Sequence, residues 1–127
     1  MTETILDSSA VLAYLRNEPG APIVAESLGD ARILTVNLAE VITKLVAEGM
    51  ESLRARRVFD KLGVTVVDFT RDLAEDAGEL ITHTRGFGLS LGDRACLALA
   101  RRDKLPVLTA DRAWREVDVG VRIELIR

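Results

Sequence analysis

Four acids in this 127-residue chain stand where layered folds place their chemistry. Asp7 directly follows the short apolar run Thr4–Leu6, and Glu40 lies just beyond the run Ile33–Val36. Asp93 opens the apolar helical pattern Leu91–Arg102, and Asp111 follows the run Pro106–Thr109. Each acid alone has a simple structural explanation. Asp7, with Ser8 and Ser9 behind it, reads as a helix cap, because short polar side chains accept hydrogen bonds from the free amides of a first helical turn. Asn37-Leu38-Ala39-Glu40 and Ser90-Leu91-Gly92-Asp93 both have capping-box spacing. Asp111 reads as a turn residue.

Together the four need a further explanation. Carboxylates gathered at one edge of a sheet repel and raise each other's pKa, which costs stability unless a cation lies among them. An all-oxygen donor set without His or Cys selects a hard ion, so Mg2+ or Mn2+ is expected rather than zinc. Such a site hydrolyses phosphodiesters: the ion lowers the pKa of its water and steadies charge on the phosphate, and no protein nucleophile is needed. His83, the one histidine, is then not required as a base and reads as a solvated residue near a helix end.

The elements that must position these acids alternate in type. Strand-like runs rich in Ile, Val and Leu fall at Thr4–Leu6, Ile33–Val36, Val64–Phe69, Pro106–Thr109 and Val121–Ile126. Helical spacing fills the intervals at Ala10–Leu15, Ile23–Leu28, Leu38–Glu48, Ser52–Leu62, Leu73–Thr84 and Leu91–Arg102. Alternation with helix-length crossovers predicts an α/β three-layer sandwich, a mainly parallel central sheet of about five strands flanked by helices. Ligands of such sheets collect beyond the carboxyl ends of the strands, where strand order reverses. No repeat or linker interrupts the chain, so residues 1–127 are expected to form one domain.

Composition removes several other classes. A hydrophobic fraction of 48% with 29% charged residues excludes both disorder and a membrane bundle. No apolar run approaches the roughly 20 residues of a spanning helix, and Met1–Leu6 lacks a signal peptide's pattern, so a cytoplasmic protein is expected. The single cysteine, Cys96, offers neither an internal disulfide nor a zinc cluster, and its place among Leu99 and Ala100 reads as a small buried hydrophobe. A net charge of −3 excludes a generally basic nucleic-acid coat, and 4% aromatics supply no stacking platform. Phosphate binding must be local.

The ordered segments Ile5-Leu6-Asp7-Ser8-Ser9-Ala10-Val11-Leu12-Ala13-Tyr14-Leu15, Val36-Asn37-Leu38-Ala39-Glu40-Val41, Leu89-Ser90-Leu91-Gly92-Asp93-Arg94-Ala95-Cys96-Leu97-Ala98-Leu99-Ala100 and Leu108-Thr109-Ala110-Asp111-Arg112-Ala113-Trp114 resemble the successive motifs of PIN domains. More closely, they resemble the VapC toxins of type II toxin–antitoxin pairs. The resemblance runs from Asp7 to Trp114. It implies a Mg2+- or Mn2+-dependent endoribonuclease whose metal is held by Asp7, Glu40, Asp93 and Asp111, with Thr109 as the hydroxyl of the fourth motif and Ser8 or Asn37 supporting the site by hydrogen bonds. Some members carry a further acid directly behind the fourth; here Arg112 stands there and the next acids are Glu116 and Asp118, so one-ion and two-ion sites both stay open. The resemblance also implies a VapB-like antitoxin as partner, RNA as substrate, and a homodimer that forms a heterotetramer or larger complex with the antitoxin.

The remaining features divide between packing and binding. The basic loop Arg85-Gly86-Phe87-Gly88 and the arginines Arg94, Arg112 and Arg115 lie beside the acids in sequence. Any single one is simply a surface charge of small energetic value; Arg94 and Arg112 are the candidates for RNA phosphates. Trp114 is read as packing a short helix against the sheet. Leu53, Val58, Phe59 and Leu62, with Val41, Leu45 and the helix Ala10–Leu15, are either core or part of an exposed groove, and the resemblance implies that this region receives an amphipathic helix of the antitoxin. A phosphoacceptor receiver needs paired acids after an early strand and a late lysine, and a dinucleotide fold needs G-x-G-x-x-G where this chain has Asp7-Ser8-Ser9-Ala10. Neither fits. A non-catalytic PIN-like scaffold that binds a protein partner is the alternative that remains.

Overall fold

The computed structural model describes residues 3–127. Five short strands, β1 (Thr4–Leu6), β2 (Ala31–Leu34), β3 (Thr65–Val67), β4 (Val107–Thr109) and β5 (Ile123–Leu125), form one sheet in the order β3-β2-β1-β4-β5. Every pairing is parallel. The helices are α1 (Ser8–Leu15), α2 (Ala21–Ser27), α3 (Thr35–Ala47), α4 (Ser52–Asp60), α5 (Arg71–Glu79), α6 (Ile81–Thr84) and α7 (Leu91–Asp103), with short 3-10 turns at Leu28–Asp30 and Arg112–Glu116.

Strand residues alternate between two cores, as the period of two along a strand requires. Ile5, Leu34 and Val107 face a core with Leu73, Leu97 and Trp114. Leu6, Ile33 and Leu108 face the other, with Val11, Val24, Val41 and Phe59. The three-layer parallel sandwich is therefore as expected. No helix among the described residues is long and apolar enough to cross a membrane.

Several element ends differ from the sequence reading, and two of the differences have a clear physical cause. Strand β2 stops at Leu34 and α3 begins at Thr35, although Val36 favours a strand intrinsically. Pairing on both sides, Ile5 with Arg32 and Leu34 with Val67, sets where the strand ends. The Thr35 hydroxyl then accepts a bond from the Phe69 amide at 3.0 Å. The helix cap is consequently Leu34, and Asn37 lies inside the first turn rather than capping it. The predicted helix Leu73–Thr84 is interrupted at Leu80, giving α5 and α6; Gly78 and the β-branched Ile81, Thr82 and Thr84 are weak helix formers there.

One glycine holds the sheet to α2. Gly20 has φ +97°, and a Cβ there would lie 2.7 Å from both Cγ1 and the carbonyl oxygen of Ile126. The α2 cap thus packs directly on the exit of β5, next to Arg127.

Candidate active site

Strands β1, β2 and β3 extend to one side and β4, β5 to the other, so strand order reverses between β1 and β4. Asp7 and Thr109 leave the sheet at that junction. The Asp7 amide donates to the Leu108 carbonyl at 3.0 Å, which sets the carboxylate beside the end of β4.

Asp7 occupies the cap position of α1, yet its carboxylate does not cap the helix. Its Oδ2 accepts instead from the Ser9 hydroxyl at 2.6 Å and the Thr109 hydroxyl at 2.9 Å. These hydroxyls in turn accept from the amides of Ala110 (2.9 Å, to Ser9) and Asp111 (3.1 Å, to Thr109). One pair of hydroxyls therefore ties Asp7 to the backbone that carries Asp111. Asp7 Oδ1 is buried without a partner. Burial pushes the Asp7 carboxyl up to about 6, the two hydroxyls oppose the rise, and the charges of Asp93 and Glu40 add to it. The supporting hydroxyl is Ser9, not Ser8: Ser8 lines the cleft but makes no side-chain hydrogen bond among the described residues.

Glu40 reaches the cleft from α3. The buried Asn37 amide donates to Glu40 Oε1 at 2.9 Å and to the Gly92 carbonyl at 3.1 Å, joining α3 to the first turn of α7. Asn37 thus supports the site from within the helix. The Glu40 carboxylate rests on Gly92, where a Cβ would stand 2.3 Å from Oε2.

Asp93 keeps the capping role that its spacing suggested, and Asp111, read as a turn residue, caps a 3-10 turn. Asp93 and Ser90 form a complete capping box at the start of α7. Burial raises the Asp93 carboxyl, the Ser90 bonds lower it, and the charges of Asp111 and Glu40 raise it again. Asp111 Oδ1 accepts from the Ala113 amide at 2.9 Å and caps the turn Arg112–Glu116.

All four acids line one cleft of about 280 Å³, with Ser8, Ser9, Arg16, Lys44 and Arg127 around them. Among the described residues, no three of these carboxylates close to the spacing of a formed metal cage. Asp93 and Asp111 each commit an oxygen to a backbone amide, and like charge opposes closer approach. The donors nonetheless suit a hard divalent ion: all are carboxylate oxygens, and the unpartnered Oδ1 of Asp7 is a buried acceptor that hydrogen bonds leave unsatisfied.

The arginines fall elsewhere. Arg94 donates to the Ala77 carbonyl of α5 at 3.1 Å, and Arg112 donates through Nε to the Arg127 carbonyl at 3.4 Å; neither lines the cleft. The cations that do, Arg16, Lys44 and Arg127, were missed by the sequence reading. Lys44 stands four residues after Glu40, a spacing that puts both on one helix face and was the available signal. Gly92 was also overlooked as a site residue, although a glycine inside an apolar helix calls for a packing or functional reason. His83 is exposed, and Trp114 and Cys96 are buried, as expected. Burial, then the charges of Asp7, Asp93 and Glu40, push the Cys96 thiol well up, so it is held as an inert thiol.

Comparison with known proteins relates the fold to others. No curated protein matches the sequence. Among solved structures, a toxin–antitoxin complex from Klebsiella pneumoniae superposes with a TM-score of 0.76 at 16% identity, covering 98% of each chain. DNA-bound VapBC from Salmonella typhimurium gives 0.76 at 19% identity over 100% of both chains. VapC20 of Mycobacterium tuberculosis, a toxin that cleaves the sarcin–ricin loop, gives 0.70 at 18% identity over 94% of this chain and 99% of that one. At such identities the likeness is one of fold. The family model for the PIN domain matches residues 4–120, a span that holds four of the five strands, and the chain belongs to the PIN domain family.

Proposed function

We propose that this PIN domain is a Mg2+- or Mn2+-dependent endoribonuclease, the VapC-type toxin of a toxin–antitoxin pair. The observation that carries the reading is the convergence of Asp7, Glu40, Asp93 and Asp111 on one cleft at the sheet's reversal point, with Asp7 held near pKa 6. Those four residues would hold the ion. When bound, such an ion supplies an activated water and neutralises charge on the phosphate. The chain's own part is preorganisation. Ser9 and Thr109 fix the Asp7 carboxylate through Oδ2, and Asn37 with Gly92 fixes that of Glu40. Because the Asp7 carboxyl is pushed up to about 6, cation binding below that pH displaces a proton from it and strengthens as the pH rises through that value.

The partner reading rests on a second surface. A groove of about 610 Å³ between α3 and α4 is lined by Leu38, Ile42 and Phe59, with Arg56 and Asp60 at its edge. Leu53 of α4 and Val46 of α3 are 49% and 41% exposed. Phe59, Val41 and Leu45 are themselves core, so the groove is shallower than their apolar character suggested. Such a groove suits an amphipathic helix of a VapB-like antitoxin, and several solved neighbours are complexes of this kind. Homodimerisation and assembly with antitoxin into a heterotetramer or larger complex belong to the same proposal.

Cleavage of a labelled RNA by the purified protein tests the enzymatic reading. Wild type is expected to cut in Mg2+ or Mn2+ and Asp93→Asn to cut at least about a hundredfold more slowly. The open spacing of the carboxylates favours one rival, a scaffold that binds its partner without catalysis. Calorimetry separates them: no heat of Mg2+ or Mn2+ binding at millimolar concentration, with intact partner binding, establishes the scaffold.

A further inference from the structure

Three cations share the rim of the carboxylate cleft, and two of them are already engaged. Arg16 pairs with Glu48, and Arg127 pairs with Glu18 at 3.2 Å. Lys44 lines the same cleft and has no acid within ion-pair distance among the described residues. It is exposed and stands one turn along α3 from Glu40, so its ammonium is carried on the helix face that delivers that acid. A floor of four carboxylates in a domain of net charge −3 repels any polyanion, and entry of a nucleic acid needs a local cation. The cleft lining contains no aromatic side chain, so no aromatic platform holds the strand there.

We infer that Lys44 binds a phosphate of the RNA strand flanking the bond to be cut, drawing the backbone over the carboxylates. This rests on the ribonuclease reading above. A lysine suits the role because it acts as a point charge on a flexible stem and follows the backbone without reading sequence. Arg94 and Arg112, nearer the acids in sequence, lie outside the cleft.

The test compares Lys44→Ala with Arg122→Ala, each removing one positive charge. Arg122 lies at the amino ends of the strands, with Thr4 and Pro106, and serves as the remote control. Initial rates are measured on a single-stranded labelled RNA in Mg2+ across a range of KCl. Lys44→Ala is expected to raise KM about tenfold at low salt with kcat within about twofold of wild type. The slope of log KM against log salt should shrink by about 0.7, one phosphate contact on a single strand. Lys44→Arg should restore both, and Arg122→Ala should leave both unchanged. A Lys44→Ala enzyme with wild-type KM and slope overturns the inference, as does a loss confined to kcat. A wild type that cuts no RNA defeats the ribonuclease reading instead; fluorescence anisotropy of the same RNA then reads the Lys44 contact by itself, and equal affinity of wild type and Lys44→Ala overturns it.

Discussion

Replacing Gly92 with alanine should damage the site while sparing the fold. The added Cβ would lie 2.3 Å from Glu40 Oε2, 2.8 Å from Cδ and 3.0 Å from Oε1, where ordinary contact begins near 3.4 Å. The Glu40 carboxylate must retreat by about 1 Å and loosen its 2.9 Å bond from Asn37. Loss of that charge-assisted bond costs about 1.5 kcal/mol, and alanine in place of glycine within α7 returns about 1 kcal/mol through helix propensity. Net stability should stay within about 1 kcal/mol of wild type, read from the midpoint of urea unfolding. Catalysis should not survive so well, because a displacement of about 1 Å at a reacting centre costs roughly a hundredfold. The assay is kcat/KM on labelled RNA in Mg2+, with Glu40→Gln as the reference for a lost carboxylate. Activity within threefold of wild type would show that the Glu40 position is not critical. A stability loss above about 3 kcal/mol would show that Gly92 is a packing position and not a cradle for the acid.

Metal-free wild type in EDTA should lose about 2 kcal/mol of stability between pH 4 and pH 7 through Asp7, whose folded pKa of about 6 exceeds its ordinary 3.8, so that the native state holds the extra proton in that window. Asp7→Asn should lack this component while abolishing RNA cleavage; parallel urea midpoints for the two proteins across the window would contradict it. Gly20→Ala should destabilise by at least about 2 kcal/mol, from left-handed backbone strain and collision with the Ile126 carbonyl, measured as a lowered thermal midpoint. Leu53→Glu, at an exposed position on α4 beside the groove, should leave stability and RNA cleavage unchanged and weaken binding of the proposed antitoxin; undiminished binding would place the docking site away from α4.

The sheet and its crossovers were legible because buried parallel strands are uniformly apolar and the helices between them keep a 3.6-residue period. Ends were less so. Val36 reads as strand by propensity, and only pairing of Leu34 with Val67 and the Thr35–Phe69 bond fix where the helix starts. For the same reason Asn37 looks like a cap in one dimension and is a bridge to Gly92 in three. The acids could be found from their places after strands, but their partners could not. Ser8 and Ser9 are equivalent by composition, and the path of α1 alone turns Ser9 toward Thr109. Arg94 and Arg112 are adjacent to acids in sequence, yet along a helix or tight turn adjacent residues point in different directions, and the cleft's cations come from Arg16, Lys44 and Arg127.

Whether the four carboxylates form a metal site that cuts RNA is tested most directly by titrating Mn2+ into one set of samples. Free Mn2+ is followed by its paramagnetic resonance signal and RNA cleavage by gel in the same tubes. For wild type, bound ion and cleavage rate should rise together, and Asp93→Asn should lose both over the same concentration range. Full cleavage by Asp93→Asn, or cleavage by wild type that proceeds unchanged in excess EDTA, would contradict the assignment of this cleft as the metal-dependent active site.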